Sequence, residues 1–348
     1  MTRKVGRIRD VARETGLSTA TISRVMNGAK NVSQQTRQRV LDACSRLDYL
    51  PNPAARALST ARSRTVAAII PTIEHSIYAK YIAAIEQTLA QHEYSLVLAI
   101  AGANTENEVQ AARKLLGMGA QAFILTGAEH SDELAKLFVR RQVPYVLTSI
   151  WAPESSVPVI GYDNHALAAR AVEYLADKGH RNIAVLHGPL AESDRTRARR
   201  EGARAAAQAP DRSEPNSSEP HRPDLSLGFV ETSLDVAGGR AAIDRVLSQP
   251  NRATAVLCFS DVLALGCYFG LQDAGLSVPS DISVMGFDNL DWSATVVPGL
   301  TTIDLPARQM GETVATQLVS TLEHGTPIPP LHLDGEIVER GSVSTPRA

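Results

Sequence analysis

Two hydrophobic rhythms divide this chain. Over residues 10–50, apolar side chains recur three and four apart, the period of helices: Val11 and Ala12, then Ile22 and Val25, then Val40, Leu41, Cys44 and Leu47. From Thr65 the pattern changes to short apolar runs alternating with amphipathic stretches. Strands are expected at Val66–Ile70, Ser95–Ile100, Ala122–Leu125, Tyr145–Leu147, Val157–Ile160, Ile183–Leu186, Ala255–Cys258 and Ile282–Gly286. Between them helices are expected near 77–91, 106–116, 132–141, 165–178, 195–207, 236–248 and 262–274. Strands that are apolar throughout belong to parallel sheets covered by helices on both faces. The units are too many for one compact sheet, so two similar doubly wound lobes are expected.

The first segment reads as a small all-α helix-turn-helix head. Gly16 supplies a residue free to take positive φ where the chain reverses. Ser18 is a good cap for the second helix, because its hydroxyl can accept a free first-turn N–H. Ile22 and Val25 face back onto the first helix, which leaves Thr19, Ala20, Ser23 and Arg24 outward. A face that is small and polar with one arginine suits a DNA major groove. Beyond a third helix, Pro51-Asn52-Pro53 forces an extended turn. The following Ala54–Ser59 favours helix but is too short to hold it alone, which makes it a candidate for folding on binding. Residues 208–226 are polar and Pro-rich and read as a surface loop.

Any three-helix bundle could share the head's spacings, and charge is what separates the readings. Residues 1–64 hold thirteen Lys/Arg against four acids, a charge of +9, while the whole chain is −2, so the remainder is −11. A basic head on an acidic body points to a nucleic-acid partner bound in a salt-dependent way. The N-terminus has no apolar signal region, and no uninterrupted apolar run reaches the ~18 residues of a membrane span. Cys44, Cys258 and Cys267 show no metal-ligand spacing and fit reduced, buried thiols of a cytoplasmic protein with no cofactor.

At this point the residues resemble the LacI/GalR family of bacterial transcription regulators. The matching words are Arg9-Asp-Val-Ala12, Gly16-Leu-Ser-Thr-Ala-Thr-Ile-Ser-Arg-Val-Met-Asn27, Tyr49-Leu-Pro-Asn-Pro53 and Arg56-Ala-Leu-Ser59. In the body they are Lys178-Gly-His-Arg-Asn-Ile-Ala-Val185, Phe259-Ser-Asp261 and Pro279-Ser-Asp-Ile-Ser-Val-Met-Gly-Phe-Asp288, with Pro306, Met310 and Gly311 beyond. The resemblance implies a two-lobed, periplasmic-binding-protein-like body that holds a small-molecule effector, a sugar or sugar acid, between its lobes. It also implies a homodimer or tetramer on a pseudo-palindromic operator, with no membrane partner. By matching position Thr19, Ala20 and Arg24 would contact bases, and Ala55 and Leu58 would form the minor-groove hinge, Leu58 as an apolar wedge. Arg199 and Asp261 would lead the effector site, with Asp163, Asp288 and Tyr78 as further candidates. Each of the three aspartates also fits a helix cap, Asp261 less well than Asp163 or Asp288. The resulting boundaries are a helix-turn-helix domain at 1–50, a hinge at 51–64 and a body at 65–348. Within the body, one lobe covers 65–162 plus 292–325 and the other 163–291 plus 326–348.

Three departures from the family pattern bear on the effector. Arg7 stands where a threonine usually caps the first helix, Glu74-His-Ser-Ile-Tyr78 replaces an Asn-Pro-aromatic-aromatic loop, and Ser233 replaces an aromatic cleft residue. The expected function is a ligand-responsive repressor of carbohydrate-utilisation genes. A purine- or nucleoside-responsive or corepressor-type regulator of the same architecture is the alternative, and a plain solute-binding protein a weaker one. An enzyme reading finds no phosphate loop, nucleophile elbow or paired catalytic carboxylates, and Gly117-Met-Gly119 follows a helix rather than a strand.

Overall fold

The protein is described by a computed structural model covering residues 6–26, 29, 31–49, 63–73, 76–209 and 225–347. The Pro-Asn-Pro turn, Ala55, Leu58, Glu74 and nearly all of the 208–226 loop lie outside the described residues. The chain divides into two compact units between Arg64 and Thr65.

The head is three helices, α1 (Ile8–Thr15), α2 (Thr19–Met26) and α3 (Gln34–Arg46). Gly16 ends α1 in the left-handed region at φ 63°. Ser18 Oγ accepts the Thr21 N–H at 3.1 Å and Ser33 Oγ the Thr36 N–H at 3.2 Å, so α2 and α3 both start on serine caps. Arg7 offers no such oxygen. There Asp10 reaches back, its Oδ2 accepting the Arg7 N–H at 3.0 Å. Val11, Ile22, Val25, Val40, Ala43 and Cys44 form the core. Leu41, expected in that stripe, is 44% exposed. One step along a helix turns a side chain about 100° away, so Ala43, not Leu41, shares the face of Val40 and Cys44.

The body carries two six-stranded sheets. The first lobe is built from β1 (Thr65–Ile70), α4 (Ser76–Gln91), β2 (Ser95–Ile100), α5 (Thr105–Gly117), β3 (Ala122–Thr126), α6 (Asp132–Arg141), β4 (Tyr145–Thr148) and β5 (Val159–Gly161). The second follows with α7 (Asn164–Asp177), β6 (Asn182–His187), α8 (Asp194–Gln208), β7 (Ser226–Glu231), α9 (Val236–Leu247), β8 (Ala255–Cys258), α10 (Asp261–Asp273), β9 (Ser283–Asp288) and β10 (Thr301–Asp304). Then come α11 (Ala307–His324), β11 (Leu331–His332) and β12 (Glu336–Val338). The sheet orders are β11-β5-β4-β3-β1-β2 and β12-β10-β9-β8-β6-β7, parallel throughout except where β12 pairs antiparallel with β10. All five residues of β3 and all six of β9 are buried, as doubly covered strands require. Successive residues alternate faces: Val66 and Ala68 of β1 pack with Tyr81, Ile85 and Val314, whereas Ala67 and Ile69 pack with Val109, Leu134 and Phe138.

The expected lobe boundaries need correction after residue 290. Thr301–Asp304 runs beside β9 in the second sheet, although residues 292–325 are expected in the first lobe. Leu331–His332 pairs with β5 in the first sheet, although 326–348 are expected in the second. The chain therefore crosses between lobes after β5, after β10 and after β11. These last strands are two to four residues long, too short for an apolar run to mark them.

Candidate functional site

A cavity of about 430 Å³ opens where the carboxyl ends of both sheets meet. This is where open α/β sheets place ligands, because loops leaving strand ends diverge there. The first lobe contributes Thr72, Tyr78, Tyr81, Ser149 and Tyr162; the second contributes Arg195, Arg199, Ser233, Phe259, Ser260 and Asp288.

Arg199 is held from three sides. Its Nε donates to Asn164 Oδ1 at 2.9 Å and its Nη1 to the Phe259 carbonyl at 2.6 Å, while the guanidinium lies 4.2 Å from the centre of the Phe287 ring. Asn164 is itself fixed, donating from Nδ2 to the Ser149 carbonyl at 2.9 Å. Asp288 ends β9 at φ 118°, a backbone region that non-glycine residues rarely occupy. Ser260 Oγ donates to its Oδ2 at 2.8 Å. Burial pushes the Asp288 carboxyl up to about 7 even though Arg199 pulls the other way, and burial also lowers the Arg199 guanidinium below its usual value. A fixed guanidinium and a carboxylate at one wall offer both donors and acceptors, the complement of vicinal hydroxyls.

The structure thus brings Arg199, Asp288 and Tyr78 to one cavity and leaves two candidates out of its lining. Asp261 is fully buried, with its oxygens accepting from the Leu290 N–H at 2.9 Å, Ser293 Oγ at 2.5 Å and Thr302 Oγ1 at 2.6 Å. It ties the start of α10 to the segment after β9, and a Cβ on Gly286 would collide with its Oδ1. Burial raises its carboxyl to about 6. Asp163 caps α7, accepting the Ala166 N–H at 3.0 Å. The carboxylates that form caps and staples and the one that faces the cavity look alike in sequence, since all three stand at or just after strand ends. The positive φ of Asp288 separates them. Sequence reasoning does not find Tyr81, Tyr162, Arg195, Asn164 or Ser260. Only Arg195 has a visible signal there, in the run Asp194-Arg-Thr-Arg-Ala-Arg199.

In the head, Thr19, Ala20 and Arg24 are all exposed on α2, while Ile22 and Val25 are buried behind them. Arg37 of α3 does not join them. It donates from Nη2 to the Ala29 carbonyl at 2.8 Å and from Nη1 to the Val25 carbonyl at 3.4 Å, closing the carboxyl end of α2.

Comparison with known proteins agrees with both units. Residues 7–52 match the family described as bacterial regulatory proteins, lacI family, and residues 63–329 match periplasmic binding proteins and sugar binding domain of LacI family. The chain is similar to catabolite control protein A of Priestia megaterium, 33% identical over 313 residues that cover 90% of this chain and 91% of that protein. It is also similar to the HTH-type transcriptional repressor PurR of Escherichia coli, 30% identical with 97% and 96% covered. Among solved structures, the lac repressor dimer bound to operator and the anti-inducer ONPF superposes with a TM-score of 0.83 at 25% identity, covering 98% of this chain and all of that one.

Proposed function

This chain belongs to the LacI family of bacterial regulatory proteins, and on that premise we propose that it is a sequence-specific repressor whose grip on operator DNA is set by a neutral sugar bound between its lobes. The observation that carries this reading is the pairing of a clamped Arg199 with a strained, buried Asp288 in one wall of the cavity. Thr19, Ala20 and Arg24 read bases, and Ala55 with Leu58 forms the hinge at the operator centre. Two copies act together on a pseudo-palindrome; the edge strand β2 exposes Leu98 and Ile100, apolar area that a second copy would cover.

A purine effector is the competing reading, since PurR is among the relatives. A planar base is held best between two facing rings. The second lobe contributes only Phe259 as a ring among the described lining residues, and Ser233 stands beside Leu234. The first lobe adds Tyr78, Tyr81 and Tyr162, so the rings admit either ligand, and it is the donors of Arg199 beside the carboxyl of Asp288 that favour a hydroxyl-rich one. The test is a thermal-unfolding screen of neutral sugars, sugar acids and nucleosides. A sugar at 100 times its Kd stabilises the chain by about 2.7 kcal/mol, raising the midpoint by roughly 4–5 °C, and Asp288→Asn removes that shift. Stabilisation by nucleosides alone would make the effector reading wrong.

A further inference from the structure

The first turn of α8 does more than carry Arg195 and Arg199 to the cavity. Asp194 reaches the opposite lobe, where its Oδ2 accepts the Ala128 N–H at 2.6 Å. Its Oδ1 accepts from both the Arg195 N–H and Arg195 Nη1 at 2.8 Å. One carboxylate therefore holds a first-lobe loop and a cavity-lining arginine together, and both side chains are largely sheltered, at 15% and 13% exposed. One turn along α8, Arg197 pairs with Glu129 of the same loop while donating to the Leu190 carbonyl.

The loop is shaped to receive this contact. Gly127 sits at φ 96°, and a Cβ there would lie 2.5 Å from Arg195 Nη1 and 2.9 Å from Asp194 Oδ2. Its N–H donates to the Thr148 carbonyl at 2.9 Å. His130 braces the far side, with Nε2 3.2 Å from the Gly127 carbonyl and Nδ1 3.0 Å from Glu108 Oε2 on α5. A second tie between lobes runs from Lys80, whose Nζ donates to the Asn289 carbonyl at 2.8 Å; its ion pair with Asp291, an acid 92% exposed, adds little.

We propose that Asp194 is a positioning residue: by taking the Ala128 N–H it holds the cleft closed and fixes Arg195 in the cavity wall. The inference rests on reading the cavity as the effector site, yet it concerns the chain without ligand. Closure of two lobes about connecting strands is a common mode of ligand response, and a contact made only in the closed form sets how often that form is visited.

The test is the distance distribution between spin labels at Lys136→Cys on α6 and Asp244→Cys on α9 in the full ligand-free chain. Both positions are exposed, while the native Cys44, Cys258 and Cys267 are buried. The parent shows mainly the short distance. Asp194→Ala and Gly127→Ala each lower the closed-to-open ratio about tenfold, and Asp194→Asn, which keeps an oxygen for Ala128, falls between. If Gly127→Ala does not fold, Asp194→Ala decides alone. Distributions identical to the parent would overturn the proposal. Because no ligand is present, the distances decide on the clasp even if every sugar fails to bind.

Discussion

Asp288 and Asp261 show how neighbouring carboxylates are sorted by what surrounds them. Asp261 has its three donors inside the protein, and they offset only part of the cost of its burial. Asp288 receives Ser260 Oγ on one oxygen and faces the cavity beside Arg199. This distinction is not legible in the sequence, where the words around Asp261 and Asp288 match the family equally well. It depends on the turn that puts Asp288 at φ 118°. The raised value of Asp288 yields a pH dependence. Its folded carboxyl titrates at about 7 against an ordinary 3.8, so the folded chain binds more protons between those values and loses stability as pH rises through them. A sugar hydroxyl bonds more strongly to the ionised carboxylate, so ligand binding runs the other way. Affinity for the stabilising sugar should rise about tenfold from pH 6 to pH 8 and then level off. Calorimetric titration across that range checks it, and a flat or falling affinity would remove the carboxylate from the contact.

At the scale of elements, what the sequence discloses depends on length and periodicity. Most strands and helices of the body stand out because continuous apolar runs alternate with helical stripes. The edge strand β7 does not, because Ser226-Leu-Gly-Phe-Val-Glu231 is half-polar and follows the Pro-rich loop. Helix α11 carries a stripe in Met310, Val314, Leu318 and Leu322, yet only its family words bring it into the sequence reading. The serine caps and Gly16 are legible because each turn needs one particular residue type. Arg37 is not, since an arginine in a basic head reads as a phosphate contact. Its bonds to the Val25 and Ala29 carbonyls make it a brace between α3 and the carboxyl end of α2 instead. Arg37→Ala should cost about 1–2 kcal/mol locally, through the lost charge-assisted bonds at a helix carboxyl end. Hydrogen exchange in the full chain should then show faster exchange of α2 amides with the body unchanged. Unaltered α2 protection would return Arg37 to the surface.

Across the whole molecule, charge and topology are legible to different depths. The +9 head and −11 remainder separate an output end from a sensing end by composition alone. The repeated parallel units announce two lobes. The family resemblance implies the triple crossing, but where its last two passages fall does not show in sequence, because pairing partners as far apart as Ile160 and Leu331 leave no local mark. Yet those crossings let the ends of both sheets wall one cavity and let Asp194 of one lobe reach Ala128 of the other. A ligand acts on DNA affinity only through unequal affinity for two states, and the cleft supplies a place where such states can differ. The most direct test is to select duplexes with the full chain from genomic fragments and measure their affinity with and without the sugar that raises the unfolding midpoint. The account predicts recovery of a pseudo-palindromic site and a change in its affinity of about 5-fold or more on adding sugar, lost in Asp288→Asn. Equal retention of all fragments, or a selected site whose affinity ignores every stabilising sugar, would contradict it.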